Sequence, residues 1–365
     1  MLPSTEMSAN AALRARKQSH LDLCLHEQVE FVGKSTLFEE VELLHNSLPE
    51  LAVDDLDLSV EFLGKRLRAP LLITGMTGGT EDAFAINRDL ARVAERCGIA
   101  FGLGSQRVMQ RDPQTAWTFA VREFAPTTAL LANIGIMQAA EQSAADLQRL
   151  VTAVSADGLC VHLNPAQELI QPEGDRSFRG GIATLTRLSA DLGVPLIAKE
   201  TGCGISRRVG EALRRAQVRY VDVSGAGGTS WIRVEALRGN DRSRHLGELF
   251  ANWGIPTAAS LAMLRGTGLD VIASGGLRSG LDMAKAIALG ARLCGAALPI
   301  YRAYRQRGIE GAEALVDELI AGCQTAMLLT GSRTLADLSR QPVVLGERLK
   351  AWVAAGRMGQ GKDRE

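Results

Sequence analysis

ALLANIGIMQAAEQSAADLQRLVTAVSADGLCVHLN, residues Ala129 to Asn164, decides the fold. It opens on an apolar run, Ala129–Gly135, that is continuous rather than alternating, as in a strand buried on both faces. A helical pattern follows at Met137, Ala140, Ala144, Leu147 and Val151, whose 3, 4, 3, 4 spacing predicts one helix with a single apolar face. A second apolar run, Gly158–Leu163, then closes a strand-helix-strand unit.

The unit recurs along the chain. Further runs of the same kind are PLLITG from Pro70, IAFGLG from Ile99, PLIAKE from Pro195, YVDVSG from Tyr220, DVIASGG from Asp270 and RLCGAAL from Arg292, so there are eight in all. Spacings of very roughly 30 residues fit a closed (β/α)8 barrel, with an open doubly wound sheet as the rival. The expected class is therefore α/β, a barrel over residues 69–300, with an N-terminal extension (1–68) and a C-terminal helical tail (301–365). Ile86, Leu90, Val93 and Cys97 predict a helix closed by Gly98, and Ser279 with Asp282 three residues on predicts a capped helix ending at Gly290. The long gap between YVDVSG and DVIASGG reads as an elaborated loop over the active face.

Composition excludes several functions. Forty-one basic residues balance 41 acidic ones, so no global field recruits nucleic acid or an anionic membrane. No apolar run approaches the roughly 18 residues of a membrane span, and the polar start MLPSTEMSANAALRARKQSH lacks the core of a signal peptide. The six cysteines form no CxxC pair, which argues against a zinc site or a disulfide framework. The expectation is a soluble cytoplasmic protein with reduced thiols.

In a barrel of this kind the chemistry stands at the carboxyl ends of the strands. Here those ends read MTGG (Met76–Gly79), GSQR (Gly104–Arg107), NIG (Asn133–Gly135), HLNPAQE (His162–Glu168), KETG (Lys199–Gly202), SGAGGTS (Ser224–Ser230), SGGLRSG (Ser274–Gly280) and GAAL (Gly295–Leu298). The last three are glycine-rich, and bare backbone N–H groups after strands seven and eight suit a cofactor phosphate, with Arg278 beside them. Lys199 reads as a buried ion-pair partner, a Schiff-base former or a donor to an electron-rich ring. Glu168 is a hard oxygen ligand of the kind Mg2+ accepts together with water and substrate phosphates.

These strings resemble those of type 2 isopentenyl diphosphate isomerase, a flavin-dependent family of isoprenoid synthesis. The match runs from about Arg16 to about residue 355 and rests on LPELAVDDLDLSVEFLGKRLRAPLLITGMTGG, GSQR, HLNPAQELIQPEGDR, KETGCGIS, DVSGAGGTSW, WGIPTAASL and SGGLRSGLDMAKAIALGA together. The last string alone also resembles FMN-dependent hydroxy-acid oxidases. The resemblance implies an enzyme that shifts an allylic proton between isopentenyl and dimethylallyl diphosphate, using reduced FMN, NADPH or another reductant, and Mg2+. It implies FMN contacts at Gly75, Met76, Thr77, Ser105, Asn133, Lys199, Ser224 and Thr229. The FMN phosphate would lie on Gly275, Gly276, Arg278, Ala296 and Ala297.

Substrate would meet Arg16, Lys17, His20, Ser105, Arg107, His162, Asn164 and Gln167, with Gln167, His162 and Lys199 nearest the chemistry and Glu168 on the metal. A glutamine amide is too weak an acid or base to act alone, so Gln167 is assigned an assisting role. The family also implies a homo-oligomer, a tetramer or octamer. One departure is the pair Gln18 and Ser19, where the family usually carries an acidic residue before the histidine. Trp231, after a glycine loop, reads as packing more than as a substrate contact.

Rival enzymes on the same barrel lack their key groups. A hydroxy-acid oxidase needs a strand-end histidine, and SGAGGTS offers none. An IMP dehydrogenase needs a nucleophilic cysteine, and Cys203, the one candidate, has a glycine-rich rather than electropositive setting. From another class, a flavin-binding sensor would not need His162, Gln167, Glu168 and Lys199 together.

Overall fold

The computed structural model describes residues 4–358; the first residues of the polar start, 1–3, lie outside the described residues. All eight apolar runs form strands: β1 (Leu71–Ile73), β2 (Ala100–Gly102), β3 (Leu130–Gly135), β4 (Gly158–Leu163), β5 (Leu196–Glu200), β6 (Tyr220–Asp222), β7 (Asp270–Ser274) and β8 (Ala291–Ala296). They pair in parallel and in order, and Cys294, Gly295 and Ala296 of β8 register with Leu71, Leu72 and Ile73 of β1. The sheet is a closed barrel. The open-sheet alternative is thereby excluded.

Strand alternation sorts the side chains into two layers. One residue from each strand, Leu72, Ala100, Leu131, Cys160, Ile197, Tyr220, Ile272 and Leu293, joins a buried cluster in the interior. Phe62 and Leu67 enter the same cluster from the hairpin Val60–Phe62/Lys65–Leu67 of the N-terminal extension. Phe62 meets the Tyr220 ring edge-on at 5.5 Å. Residues of opposite parity, such as Ile73, Phe101, Ala132, Val161, Ala198 and Val221, pack outward in the larger cluster beneath the helices.

Helix α1 (Ser4–His26) lies in the extension, and α2 (Glu81–Cys97) follows β1. Helix α2 starts at Thr80, whose hydroxyl accepts from the Ala83 N–H, and ends at Gly98 with φ 66°, the left-handed cap expected there. Ser279 and Asp282 form the expected capping box. The single helix expected across Met137–Val151 is two, Ile136–Ala140 and Ala144–Ala153. The apolar spacing is correct, but Ser143 caps the second helix through a box with Asp146, and that local start signal breaks the run.

The expected loop between β6 and β7 contains three helices: α3 (Trp231–Arg238), Asp241–Leu249 and Thr257–Leu264. Helix α4 (Leu298–Leu329) follows β8 directly and bends at Arg307 and Gly308. Strand Val41–Leu43 of the extension pairs antiparallel with Val343–Leu345, so the extension and the C-terminal tail fasten to each other. Among the described residues, no helix is long and apolar enough to cross a membrane.

Candidate active site

The parity that fixes the interior also fixes the site. Two residues beyond the inward-facing cluster, the same alternation turns Thr74, Asn133, His162, Lys199, Asp222 and Ser274 inward at the carboxyl end. Register sets several of these abreast, with Gly135 beside His162, His162 beside Lys199, and Lys199 beside Asp222. A band of polar groups therefore caps the apolar interior.

Lys199 Nζ lies 2.9 Å from Asp222 Oδ2, and both side chains are largely buried. Asp222 Oδ1 accepts from the Ser274 hydroxyl at 2.5 Å and from the Ser224 N–H at 3.2 Å. Lys199 is thus paired and in the site at once. Glu200, its neighbour in sequence, points to the other side of the sheet, where Oε2 accepts from the N–H groups of Thr201, Cys203 and Gly204. Burial pushes the Glu200 carboxyl up to about 7 despite those three donors. Cys203 does not line the site, and burial with Glu200 nearby pushes its thiol up, the opposite of what a nucleophile needs.

His162 Nδ1 lies 2.9 Å from Asn133 Oδ1, while Asn133 Nδ2 donates to the Leu103 carbonyl at 3.1 Å. That network assigns the proton to Nδ1 and leaves Nε2 as an acceptor. Burial, with Lys199, Arg107, Arg16 and Lys17 around it, lowers the imidazole to about 4, so His162 is neutral at pH 7.

The loop after β4 turns at once into the short helix Pro165–Ile170. Asn164 Nδ2 donates to Glu168 Oε1 at 3.0 Å and to Gln167 Oε1 at 3.3 Å, and the Asp175 N–H donates to Glu168 Oε2 at 2.8 Å. Gln167 Nε2 donates in turn to Glu235 Oε1 at 3.0 Å. Glu235, fully buried on α3, also faces His20 Nε2 at 3.0 Å and accepts from Arg238 Nε at 2.9 Å. Burial alone would raise this carboxyl, but His20, Gln167 and Arg238 outweigh it and hold it at about 2. Gln171 completes the group: with its amide nitrogen toward Glu235 Oε1 (3.2 Å) and its oxygen toward Arg16 Nη1 (2.6 Å), both ends are satisfied.

Helix α1 closes one wall. Lys17 Nζ donates to the carbonyls of Gly78 (2.7 Å) and Ser105 (2.8 Å), which fastens the helix to the MTGG and GSQR loops. Burial, then the Arg16 charge, lowers Lys17 to about 7. His20 meets Trp231 edge-on at 5.1 Å, and Trp231 lines the cleft, so this tryptophan packs within the site.

The glycine loops serve each other as well as any ligand. A Cβ on Gly228 would stand 2.3 Å from the Gly276 nitrogen, and one on Gly276 would meet Thr36 Cγ2 at 2.4 Å. Close loop packing requires glycine here. Arg278 is paired with Glu30 of the extension, a contact absent from the sequence expectations.

One cleft gathers every expected residue. Arg16, Lys17, His20, Arg107, His162, Asn164, Gln167 and Glu168 line it together with Lys199, Gly75, Met76, Thr77, Ser105, Asn133, Ser224 and Thr229. Gly275, Gly276, Arg278, Ala296 and Ala297 line it too. Four buried side-chain atoms among the described residues have no partner, and three of them, Arg16 Nε, Arg107 Nε and Thr77 Oγ1, belong to cleft residues. Donors left bare in a cleft suit an anionic, hydrogen-bonding guest.

Comparison with known proteins places the chain. It is 46% identical over 343 residues to an isopentenyl-diphosphate delta-isomerase from Nostoc sp., covering 92% of this chain and 96% of that protein. The enzyme of the same name from Methanosarcina barkeri is 45% identical, covering 90% and 91%. That from Sulfurisphaera tokodaii is 41% identical, covering 94% and 95%. The chain belongs to the isopentenyl-diphosphate delta-isomerase family. The FMN-dependent dehydrogenase family also matches, over residues 167–345. In fold this isomerase-family chain is similar to a mandelate oxidase variant solved with a monooxide FMN adduct, at 18% identity and TM-score 0.62 over 91% of this chain and 99% of that one.

Sequence reading alone missed four groups of this isomerase fold: Asp222, Glu235, Gln171 and Glu30. Asp222 stands inside the quoted DVSGAGGTSW, and its parity with Tyr220 is the signal that would have turned it inward. Glu235 sits one helical turn beyond Trp231, a position that places it beside His20 only once α1 is docked. Gln171 and Glu30 carry no sequence signal, since their partners lie far away in the chain.

Proposed function

We propose that the chain interconverts isopentenyl and dimethylallyl diphosphate by a 1,3-allylic proton shift with reduced FMN and Mg2+. The observation that carries this reading is the convergence, in one cleft, of two anion-recognising poles around a polar chain. The glycine loops with Arg278 form one pole. Arg16, Lys17 and Arg107 form the other. Asn164, Gln167 and His20 line the cleft with the second, joined through Glu235 buried behind them.

The residues fit FMN. Thr77 Oγ1 is an unpartnered buried hydroxyl in the cleft, Lys199 is a held cation lining the same cleft, and the loops around Gly275 and Gly276 turn with φ 95° and 82°, which only glycine adopts freely. Gly75, Met76, Thr77, Ser105, Asn133, Lys199, Ser224 and Thr229 would hold the flavin, and Gly275, Gly276, Arg278, Ala296 and Ala297 its phosphate. When bound in reduced form, FMN supplies an acid and base for carbons that no side chain here activates.

The remaining steps belong to the chain. Arg16, Lys17, Arg107, His162 and Asn164 bind the diphosphate, with Ser105 at the rim, because guanidinium, ammonium and amide donors give it charge-assisted bonds. Glu168 takes Mg2+ with the substrate oxygens. Among the described residues no group of three or more metal-ligating side chains exists, which suits a cation held by one carboxylate plus water and phosphate. Gln167, tethered at both ends of its amide, positions the alkene. His20, whose Nε2 lies 3.0 Å from Glu235 Oε1, joins the residues on the diphosphate and is oriented by that carboxylate.

This reading takes NADPH as the reductant, a cytoplasmic setting in keeping with six free cysteines, and a tetramer or octamer. In it the extension, 1–68, brings the basic segment to the barrel of 69–300, and the tail, 301–365, of which 359–365 lie outside the described residues, packs on the barrel. The test is to reduce the purified protein with NADPH or dithionite without oxygen, add isopentenyl diphosphate and Mg2+, and assay dimethylallyl diphosphate. Product is expected; its absence while FMN is bound overturns the reading.

A further inference from the structure

Glu30 is an acidic residue standing at the pole assigned to a phosphate. Its Oε1 accepts from Arg278 Nε at 3.2 Å and from Arg278 Nη2, and its Oε2 lies 3.6 Å from Arg302 Nη1. Arg278 Nη1 donates to the Leu277 carbonyl at 2.8 Å. A guanidinium has five N–H groups. Three are used, which leaves one on each terminal nitrogen for another acceptor.

Glu30 is also built into the loop it faces. It bridges Thr229, with the Ser230 N–H donating to the Val29 carbonyl at 2.8 Å and the Phe31 N–H to the Gly228 carbonyl at 3.0 Å. A few residues on, Thr36 packs so closely that a Cβ on Gly227 would meet its nitrogen at 2.3 Å. The strap from Val29 to Thr36 thus crosses both glycine loops. On its other side Arg302 donates to the Cys24 and Glu27 carbonyls, each at 2.9 Å, closing the last turn of α1 and the residue after it. That is the helix bearing Arg16, Lys17 and His20.

We propose that Glu30 is a positioning residue for the flavin phosphate: it holds Arg278 side-on so that its two remaining N–H groups serve the phosphate, and it couples phosphate occupancy to docking of the strap and helix α1. The inference rests on the flavin assignment above. A carboxylate that merely competed with a phosphate for Arg278 would leave the guanidinium freer when removed. One that orients Arg278 leaves it worse placed. The use of a single carboxylate oxygen for Nε and Nη2, with the other toward Arg302, favours the second.

The experiment uses full-length protein freed of flavin. Glu30→Gln is expected to weaken FMN about five- to tenfold, the worth of a part-exposed charged pair, while riboflavin, which lacks the phosphate, binds as to wild type. In an Arg278→Met background Glu30→Gln is expected to add nothing. FMN, but not riboflavin, is expected to slow hydrogen exchange at residues 28–31 in wild type and not in Glu30→Gln. Unchanged or tighter FMN binding, or equal loss of FMN and riboflavin, overturns the proposal. A wild-type protein that binds neither flavin overturns the flavin assignment itself, a result distinct from any behaviour of the variant.

Discussion

Lys199 and Asp222 stand abreast on adjacent strands, with Nζ 2.9 Å from Oδ2 and Asp222 only 2% exposed. Asp222 is therefore the residue that keeps a cation at the centre of the cleft. Asp222→Asn leaves the ammonium without its charge partner and is expected to cost about 3 kcal/mol in urea unfolding. Adding Lys199→Met should recover part of that loss, because removing both charges costs less than stranding one. An additive double mutant would contradict the pairing.

Glu168 accepts from Asn164 and the Asp175 N–H and contributes nothing to the glycine loops. Glu168→Gln is expected to raise the Mg2+ concentration for half-maximal activity about tenfold or more, with FMN affinity unchanged. Flavin titration of the same preparation checks the second half, and loss of flavin would move Glu168 out of the metal role.

The fold was legible because its signal is local. Eight apolar runs ending in polar or glycine residues identify a parallel barrel, and Gly98 and Ser279 end and begin helices as their chemistry demands. What failed was also local: Ser143 and Asp146 start a helix inside an apolar spacing that continues across them. The site was legible as strand ends, and the resemblance sorted those ends into roles. Its connections were not. Lys199 is followed directly by Glu200, but alternation separates those two and sets Lys199 against Asp222, 23 positions on. Glu30 with Arg278 and His20 with Glu235 are joined only by docking of the extension, which no periodicity records.

His162 predicts a pH effect. Its folded value, about 4, lies below the ordinary 6.5, so between these values the unfolded chain binds more protons than the native one. Stability should fall as pH drops from about 6.5 to about 4. His162→Gln should flatten that part of the profile, measured by urea midpoints at successive pH. A slope unchanged in the variant would assign the effect to other groups.

Glu235 stays ionised down to about pH 2, so an acid limb of kcat above pH 4 cannot be its own titration. Glu235→Gln leaves His20 and Gln167 facing an amide and is expected to lower kcat about a hundredfold, the scale of a misplaced group at the reacting centre, with flavin and diphosphate affinity nearly unchanged. Parallel loss of diphosphate affinity would instead make it a support for Arg16 through Gln171.

Lys17 offers the most direct link between binding and protonation. Burial and Arg16 lower it to about 7, so at pH 7.5 much of it is neutral while it still bonds the Gly78 and Ser105 carbonyls. A diphosphate placed beside it favours the ammonium and must draw in a proton. Calorimetry of inorganic pyrophosphate binding at pH 7.5, in buffers of different ionisation enthalpy, should show net proton uptake in wild type and less in Lys17→Met. If uptake is the same in both, the proton goes to His162 or to the ligand, and Lys17 acts only as the peg that fastens α1 to the barrel.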